Sequence, residues 1–374
     1  MINRLSSSDT KKLLTAHAIM GFIQFALGFS VALLKQDFGI SRVLASTHNI
    51  CWAFSVILIS IMAPKYIYRI PPHQTLRFGW VLTMIGIFGF CLGRSLWVTV
   101  PFFSLAAVGA TLFNNTNSGV LGSTPRSALK MMFRSSGLGT FCGALLPTSM
   151  GVLIRNGIEW RISLIVAAII FGLTSLWIIP KIAILDIHSK HDKIATWGRS
   201  FVLLVLFGFL TTWLEVSTVV WSIDLMRDRG ANLSVAVIFA STLGYMIGVV
   251  RVLISWLPKI PHNIVWRISS LSIVAGIILI SFSNSQNSTF VGLFITALGV
   301  GSVAPIALTC SVTSDKSVDH GVATFTIGMG AALGLAPLSM AWLSENYGFS
   351  QAYFSIIIIL LIANIIYPKV VKNF

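Results

Sequence analysis

The chain has 374 residues, of which 55% are hydrophobic and only 10% charged, and its formal net charge is +15. A soluble domain carries about a quarter charged residues, so this composition excludes a water-soluble globular fold and points to a membrane protein. The basic excess could suggest nucleic acid, but the Lys and Arg residues are scattered between long apolar runs rather than gathered in one patch. No nucleic-acid partner is expected.

Twelve apolar spans follow one another, at about 13–34, 42–63, 76–93, 97–121, 131–154, 161–180, 199–222, 231–256, 264–283, 289–312, 321–343 and 350–368. Each is close to the ~20 residues a helix needs to cross the hydrocarbon layer. Backbone polar groups must be satisfied inside each span, so the expectation is an all-α membrane protein. A β-barrel would alternate apolar and polar residues in shorter segments. The run from Leu13 to Leu34 is too long for a cleavable signal and reads as a true span. With an even number of spans both termini share one side. That side gathers Lys11, Lys12, Lys65, Arg69, Arg126, Lys130, Arg134, Lys181, Lys190, Lys193 and Lys369. The other side has fewer, among them Lys35, Arg42, Arg94, Arg155, Arg161, Arg227 and Arg229. The positive-inside rule puts both termini in the cytoplasm of a cell (plasma or inner) membrane.

Taken in chain order, the polar residues inside these spans are the informative ones, because such groups are costly in lipid. The first span carries His17 and Gln24, seven apart and on one face, with Gly21 and Gly28 beside Gln24. His17 reads as interfacial. The second span carries His48 and Asn49 near its start. His48 could relay protons or simply bond a loop. In the fourth span Asn114 and Asn117 are three apart on one face, near Thr111 and Ser118, while Asn115 points about 100° away. Amides donate and accept, which suits sugar-like hydroxyls, yet they also bond helix to helix. The polar segment 181–198 divides the chain into halves 1–180 and 199–374. Glu215, in the seventh span, is the one acidic residue of 11 that lies well inside a span. A carboxyl at that depth can load and release a proton, or serve as a structural hydrogen-bonding group. Thr211, Thr212, Thr218 and Ser222 fall on or near its face, and Trp213 and Trp221 could stack on a sugar. Arg251, the lone cation inside a span, could pair with an anion, act in a gate, or snorkel to the headgroups. Trp97 and Trp160, at span ends, read as interfacial anchors.

The two halves repeat each other at an offset of 191. Asp37 and Gly39 recur as Asp228 and Gly230; Gly137, Gly139 and Gly143 as Gly328, Gly330 and Gly334; Gly157 as Gly348. Pro147, Ser149 and Met150 recur one residue out of step as Pro337, Ser339 and Met340. Gln24 and Glu215 are separated by the same 191. Six spans per half makes the repeat parallel, related by an axis along the membrane normal.

The stretch Gly137-Leu-Gly-Thr-Phe-Cys-Gly143 through Pro147 to Gly157, followed by Trp160-Arg161, resembles the fifth helix of major facilitator transporters and its exit. The stretch Gly328-Met-Gly-Ala-Ala-Leu-Gly334 through Pro337 to Gly348 resembles their eleventh, and Gly299-Val-Gly-Ser-Val-Ala-Pro305 their tenth. Glu215 through Trp221, Asp228-x-Gly230 and Gly109 to Asn117 are similar to the fucose permease-like branch. The resemblance implies two six-helix bundles with a central cavity lined by the first, fourth, seventh and tenth spans. The chain departs from the family between spans two and three, where Ala63-Pro-Lys-Tyr-Ile-Tyr-Arg-Ile-Pro-Pro-His73 lacks the Gly-x-x-x-Asp-Arg-x-Gly-Arg-Arg signature. A gate built on that charge network is therefore in doubt.

The resulting expectation is a secondary active transporter, acting as a monomer, that moves a small polar organic solute, sugar-like on the resemblance, by proton symport. Substrate binding is assigned to Gln24, Asn114, Asn117, Thr211, Trp213, Glu215 and Trp221, proton coupling to Glu215 and His48, and gating to Arg251. Two alternatives stay open: an exporter of amphipathic compounds, suited by Phe22, Phe25 and Phe113, and a transport-silent sensor or partner protein. No enzyme activity is expected. The sequence has no Walker loop and no His, Cys or carboxylate cluster at metal-ligand spacing, so neither metal nor cofactor is expected. Cys51, Cys91, Cys142 and Cys310 lie within spans and read as packing residues.

Overall fold

A computed structural model describes residues 6–66, 70–122, 128–179, 199–257, 261–314 and 318–371. The described chain is helical: α1 (Ser7–Phe38), α2 (Arg42–Ala45), α3 (Thr47–Tyr66), α4 (Pro72–Leu92), α5 (Leu96–Gly122), α6 (Ala128–Gly143), α7 (Leu145–Arg155), α8 (Arg161–Ile178), α9 (Arg199–Val219), α10 (Ser222–Asp228), α11 (Leu233–Trp256), α12 (His262–Phe282), α13 (Gln286–Ser314), α14 (Val318–Asn346), α15 (Phe349–Phe354) and α16 (Ile356–Val371). Among the described residues, eleven helical stretches are long and apolar enough to cross a membrane. The sixth expected span corresponds to α8, of 18 residues. The segment 181–198 lies outside the described residues, as does 67–69 of the unusual loop.

Several stretches are two helices end to end, and the breaks have local causes. α6 passes into α7 at Ala144, where Pro147 has no N–H to give the carbonyl of Gly143. Large apolar side chains face outward, with Trp97 91%, Phe282 80% and Leu271 71% exposed. Such a face suits lipid and would be a liability in water. Trp97, near the start of α5, stands on this exposed face. Trp160 does not: it is buried and donates from Nε1 to Asp37 at 3.0 Å.

The repeat is visible in the packing. α4 lies on α5 as α12 lies on α13; α1 lies on α6 as α9 lies on α14; α3 lies on α5 as α11 lies on α13. The α4–α5 and α12–α13 crossings are backbone to backbone. A Cβ on Gly79 would sit 2.6 Å from the oxygen of Gly109, and one on Gly276 would sit 2.5 Å from that of Gly292. The described residues with positive φ are Gly39 (62°), Gly157 (72°), Gly230 (91°) and Gly348 (87°), which form two pairs 191 apart. Each of these four glycines thus marks a positive-φ turn that a side chain would strain.

Residues 6–179 meet residues 199–371 along two seams, α3 on α14 and α6 on α11. On the side opposite Ser7, charge ties them together. Lys35 Nζ and Arg42 Nε reach Asp224 Oδ2 at 2.6 and 3.3 Å. The N–H groups of Arg42 and Val43 donate to Glu345 Oε1 at 2.6 and 3.3 Å. Within the first half, Arg161 Nη1 donates to both Asp37 and Glu159, at 2.6 and 2.9 Å.

Candidate functional site

Between the halves lies a cavity of about 360 Å³. This falls in the size range of small-molecule sites, roughly 300–1,000 Å³. Its polar wall includes His17 and Gln24 of α1, Asn49 of α3, Asn114, Asn115 and Ser118 of α5, Ser136 and Thr140 of α6, Glu215 of α9 and Thr326 of α14. Phe25, Trp52, Phe103, Met132 and Phe325 supply much of the apolar remainder.

The charged centre of this wall is an ion pair. Glu215 Oε2 accepts from Arg251 Nη2 at 2.5 Å, and the Arg251 side chain is only 5% exposed against 19% for Glu215. Arg251 is not itself on the wall; its partners cover it. Nη1 donates to Ser136 Oγ and Thr140 Oγ1, both at 2.8 Å, and these belong to the other half of the chain. Nε donates to the carbonyl of Gly301 at 2.8 Å. That carbonyl is free because Pro305, four residues on, has no N–H to return to it. Arg251 therefore does not snorkel: four hydrogen bonds hold it against α6, α9 and α13. A buried cation needs this degree of satisfaction.

Around the pair the amides are linked. Asn114 Nδ2 donates to Gln24 Oε1 at 3.0 Å, while Asn114 Oδ1 has no partner in the protein. Asn117 is fully buried behind the wall, with Nδ2 3.1 Å from His17 Nδ1. If the amide donates, the ring proton sits on Nε2. His17 is thus a cavity residue rather than an interfacial one. Asn115, expected on another face, lines the cavity and bridges the halves: its Nδ2 donates to Ser60 and its Oδ1 accepts from Thr326 at 3.0 Å. Asn49 also faces the cavity, with Nδ2 unpartnered.

Other candidates lie elsewhere. Trp221 is buried and donates to the carbonyl of Pro337 at 2.9 Å, pinning the junction of α9 and α10 to α14. Trp213 packs edge-on against Phe209, outside the cavity wall. Thr211 is buried and gives its hydroxyl to the carbonyl of Phe207. His48 is enclosed by Phe90 and Phe103, bonded to Ala45 O and Thr99 Oγ1 at 3.1 and 2.9 Å. Among the phenylalanines, Phe25 is on the wall, whereas Phe113 is buried against Trp80. Ser136, Thr140 and Asn115 went unassigned in the sequence. The hydroxyls at 136 and 140, one helical turn apart in an apolar run, were the available signal.

No protein-family model and no curated protein matches the chain. Solved structures do match. The transporter FucP in its outward conformation superposes with a TM-score of 0.73 at 12% identity over 98% of both chains. The xylose transporter XylE from E. coli, partially occluded and inward open, gives 0.76 at 12% identity over 97% of this chain and 98% of that one. The human organic anion transporter MFSD10 gives 0.70 at 11% identity over 96% and 97%. The chain has the major facilitator fold. At these identities the likeness is one of fold. The cavity wall draws on α1, α3, α5, α6, α9, α13 and α14, a wider set than the four spans the resemblance implied.

Proposed function

We propose that the chain is a secondary active transporter that carries a small polar organic solute together with protons. Its twelve spans form two six-helix bundles, 1–180 and 199–374, joined by the cytoplasmic linker 181–198. The bundles rock about the cavity to expose it to each side in turn. One observation carries this reading: a buried carboxyl–guanidinium pair, Glu215 with Arg251, in the wall of a polar cavity between the halves. Glu215 is the group that takes the proton. Gln24, Asn114 and Asn117, with His17, hold the solute or the groups that touch it, and their donors and acceptors suit hydroxyls. The similarity to FucP, named as a fucose:proton symporter, and to XylE, named as a proton:xylose symporter, supports the same reading.

Uptake into proteoliposomes tests it, across a panel of sugars, sugar acids, amino acids and hydrophobic cations. One pH unit is worth about 1.4 kcal/mol, so a one-proton symporter accumulates its solute about tenfold across that gradient. Glu215→Gln is expected to equilibrate the solute without accumulating it. Accumulation that survives this substitution, or that ignores the gradient, removes the proton-coupled reading. A second reading, an exporter of amphipathic compounds, has the apolar wall of Phe25, Trp52, Phe103 and Met132 in its favour. Transport confined to the hydrophobic cations would select it.

A further inference from the structure

We infer that the solute is a hydroxylated monocarboxylate, whose carboxylate replaces Glu215 on Arg251 when Glu215 takes up a proton. This rests on the transporter reading above and names the substrate class of the same cavity.

The argument begins with charge. On the described cavity wall, Glu215 is the one acidic residue and His17 the one other titratable group. α6 contributes the hydroxyls of Ser136 and Thr140, α13 the carbonyl of Gly301, and α11 Arg251 itself. The described cavity-facing residues of α3, α5 and α14 are uncharged. An arginine does not give up its proton in a protein. A cationic solute drawn to Glu215 would therefore meet Arg251 directly behind it. A neutral solute does not supply the counter-charge that Arg251 loses when Glu215 takes up a proton.

A monoanion answers both points. Of the four bonds that Arg251 makes, three go to neutral oxygens and one to Glu215. When a proton binds Glu215, the carboxylate becomes a neutral acid and the ion pair is lost. Arg251 is then a buried cation without a counter-charge, a state that is strongly unfavourable. A substrate carboxylate fills that place at Nη2. The site holds one negative and one positive charge before and after, so the loaded carrier bears no extra charge. One proton and one anion cross together, electroneutrally. Glu215 also covers Arg251 from the cavity, so the anion gains access only after protonation. That ordering couples the two.

The rest of the wall fits the remainder of such a molecule. Asn114 and Asn49 line the wall, and each keeps a buried polar atom without a protein partner, the acceptor Oδ1 and the donor Nδ2, that a turn of its side chain would bring to the cavity. Hydroxyl groups can satisfy both. The cavity volume of about 360 Å³ suits a solute of this size.

The test uses the full chain in proteoliposomes with a luminal pH dye. The panel is glycerate, gluconate and glucuronate, their neutral counterparts glycerol, sorbitol and glucose, and tetraphenylphosphonium. At least one acid is expected to acidify the lumen at a rate unchanged by a potassium–valinomycin potential. The neutral counterparts should give no proton flux. Glu215→Gln should bind the acid at neutral pH at least as tightly as the native protein does at acid pH, with luminal acidification lost. Arg251→Gln should lose acid binding, and Arg251→Lys should restore part of it. Flux of polyols or of the cation without flux of any acid overturns the proposal and leaves the transporter reading standing. Loss of acid binding in Glu215→Gln at every pH also overturns it. Absence of flux for every compound overturns the transporter reading itself.

Discussion

Arg251 depends on a residue that never touches it. Pro305 withholds an amide proton, which leaves Gly301 O for Arg251 Nε at 2.8 Å. Replacing an interior proline by alanine can return about 3 kcal/mol to a helix. In Pro305→Ala, however, the new amide competes for Gly301 O. A hydrogen bond from a charged donor is worth about 1.5–3 kcal/mol, so the gain should fall short by that amount. In an Arg251→Gln background the full gain should appear. Denaturation of the four proteins as a double-mutant cycle reads the difference, and additivity would remove the link. A second prediction concerns pH. Glu159, on the loop between α7 and α8, has its carboxyl pulled below the ordinary 4.5 by its hydrogen bond from Arg94, with Arg161 adding to it. A depressed carboxylate stabilises the fold above its unfolded value and loses that contribution as pH falls through the folded one. The thermal midpoint of the native protein should therefore fall more steeply below pH 4.5 than that of Glu159→Gln. Matching profiles would show the contact to be idle. The sequence revealed Glu215 because an acidic residue deep in an apolar span stands out. It hid the partner, because Arg251 lies 36 positions away on a different helix, and only packing joins them. Trp221, Trp213, Thr211 and His48 were drawn into the site by type and spacing, but helical phase alone does not say which neighbour each face meets.

At the scale of elements, the glycines carry the most information. α4 and α5 touch through Gly79 and Gly109, with no room for a methyl group between them. Gly79→Ala should force the helices apart at a cost of about 1–3 kcal/mol, the range for overpacking a tight interface. Thermal unfolding in detergent checks this, and an unchanged midpoint would mean that the crossing gives way freely. The four left-handed glycines were legible beforehand as a repeat, because a backbone requirement for φ > 0 leaves one residue type to choose. The helix breaks at Ala144 and at Trp221 were not legible as breaks, since apolar composition runs through them unchanged.

At the scale of the molecule, the halves are bolted by charge on the side away from Ser7. Asp224 is buried between Lys35 and Arg42. Asp224→Asn removes the counter-charge of two cations and should let that side part. Spin labels at Leu44 and Tyr347, exposed and in opposite halves, should then report a longer distance population than in the native background. An unchanged distribution would assign the closure to packing alone. The twofold plan of the molecule could be read from the glycine offset. The bolt could not, because Lys35 and Asp224 are 189 residues apart and belong to no repeated motif.

The two seams also differ in kind. Ser60 and Arg251 stand 191 apart, as do Ser135 and Thr326, and as do Gln24 and Glu215. At one seam, Ser60 joins through Asn115 to Thr326 by neutral hydrogen bonds; at the other, Arg251 joins Ser136 and Thr140 while paired with Glu215. If the chain arose by doubling a shorter one, its two hinges began alike and have since diverged. One is now joined by neutral groups alone, and the other through a guanidinium that a carboxylate holds. A proton taken up at Glu215, as proposed above, would reach the guanidinium of one seam and leave the neutral bonds of the other untouched.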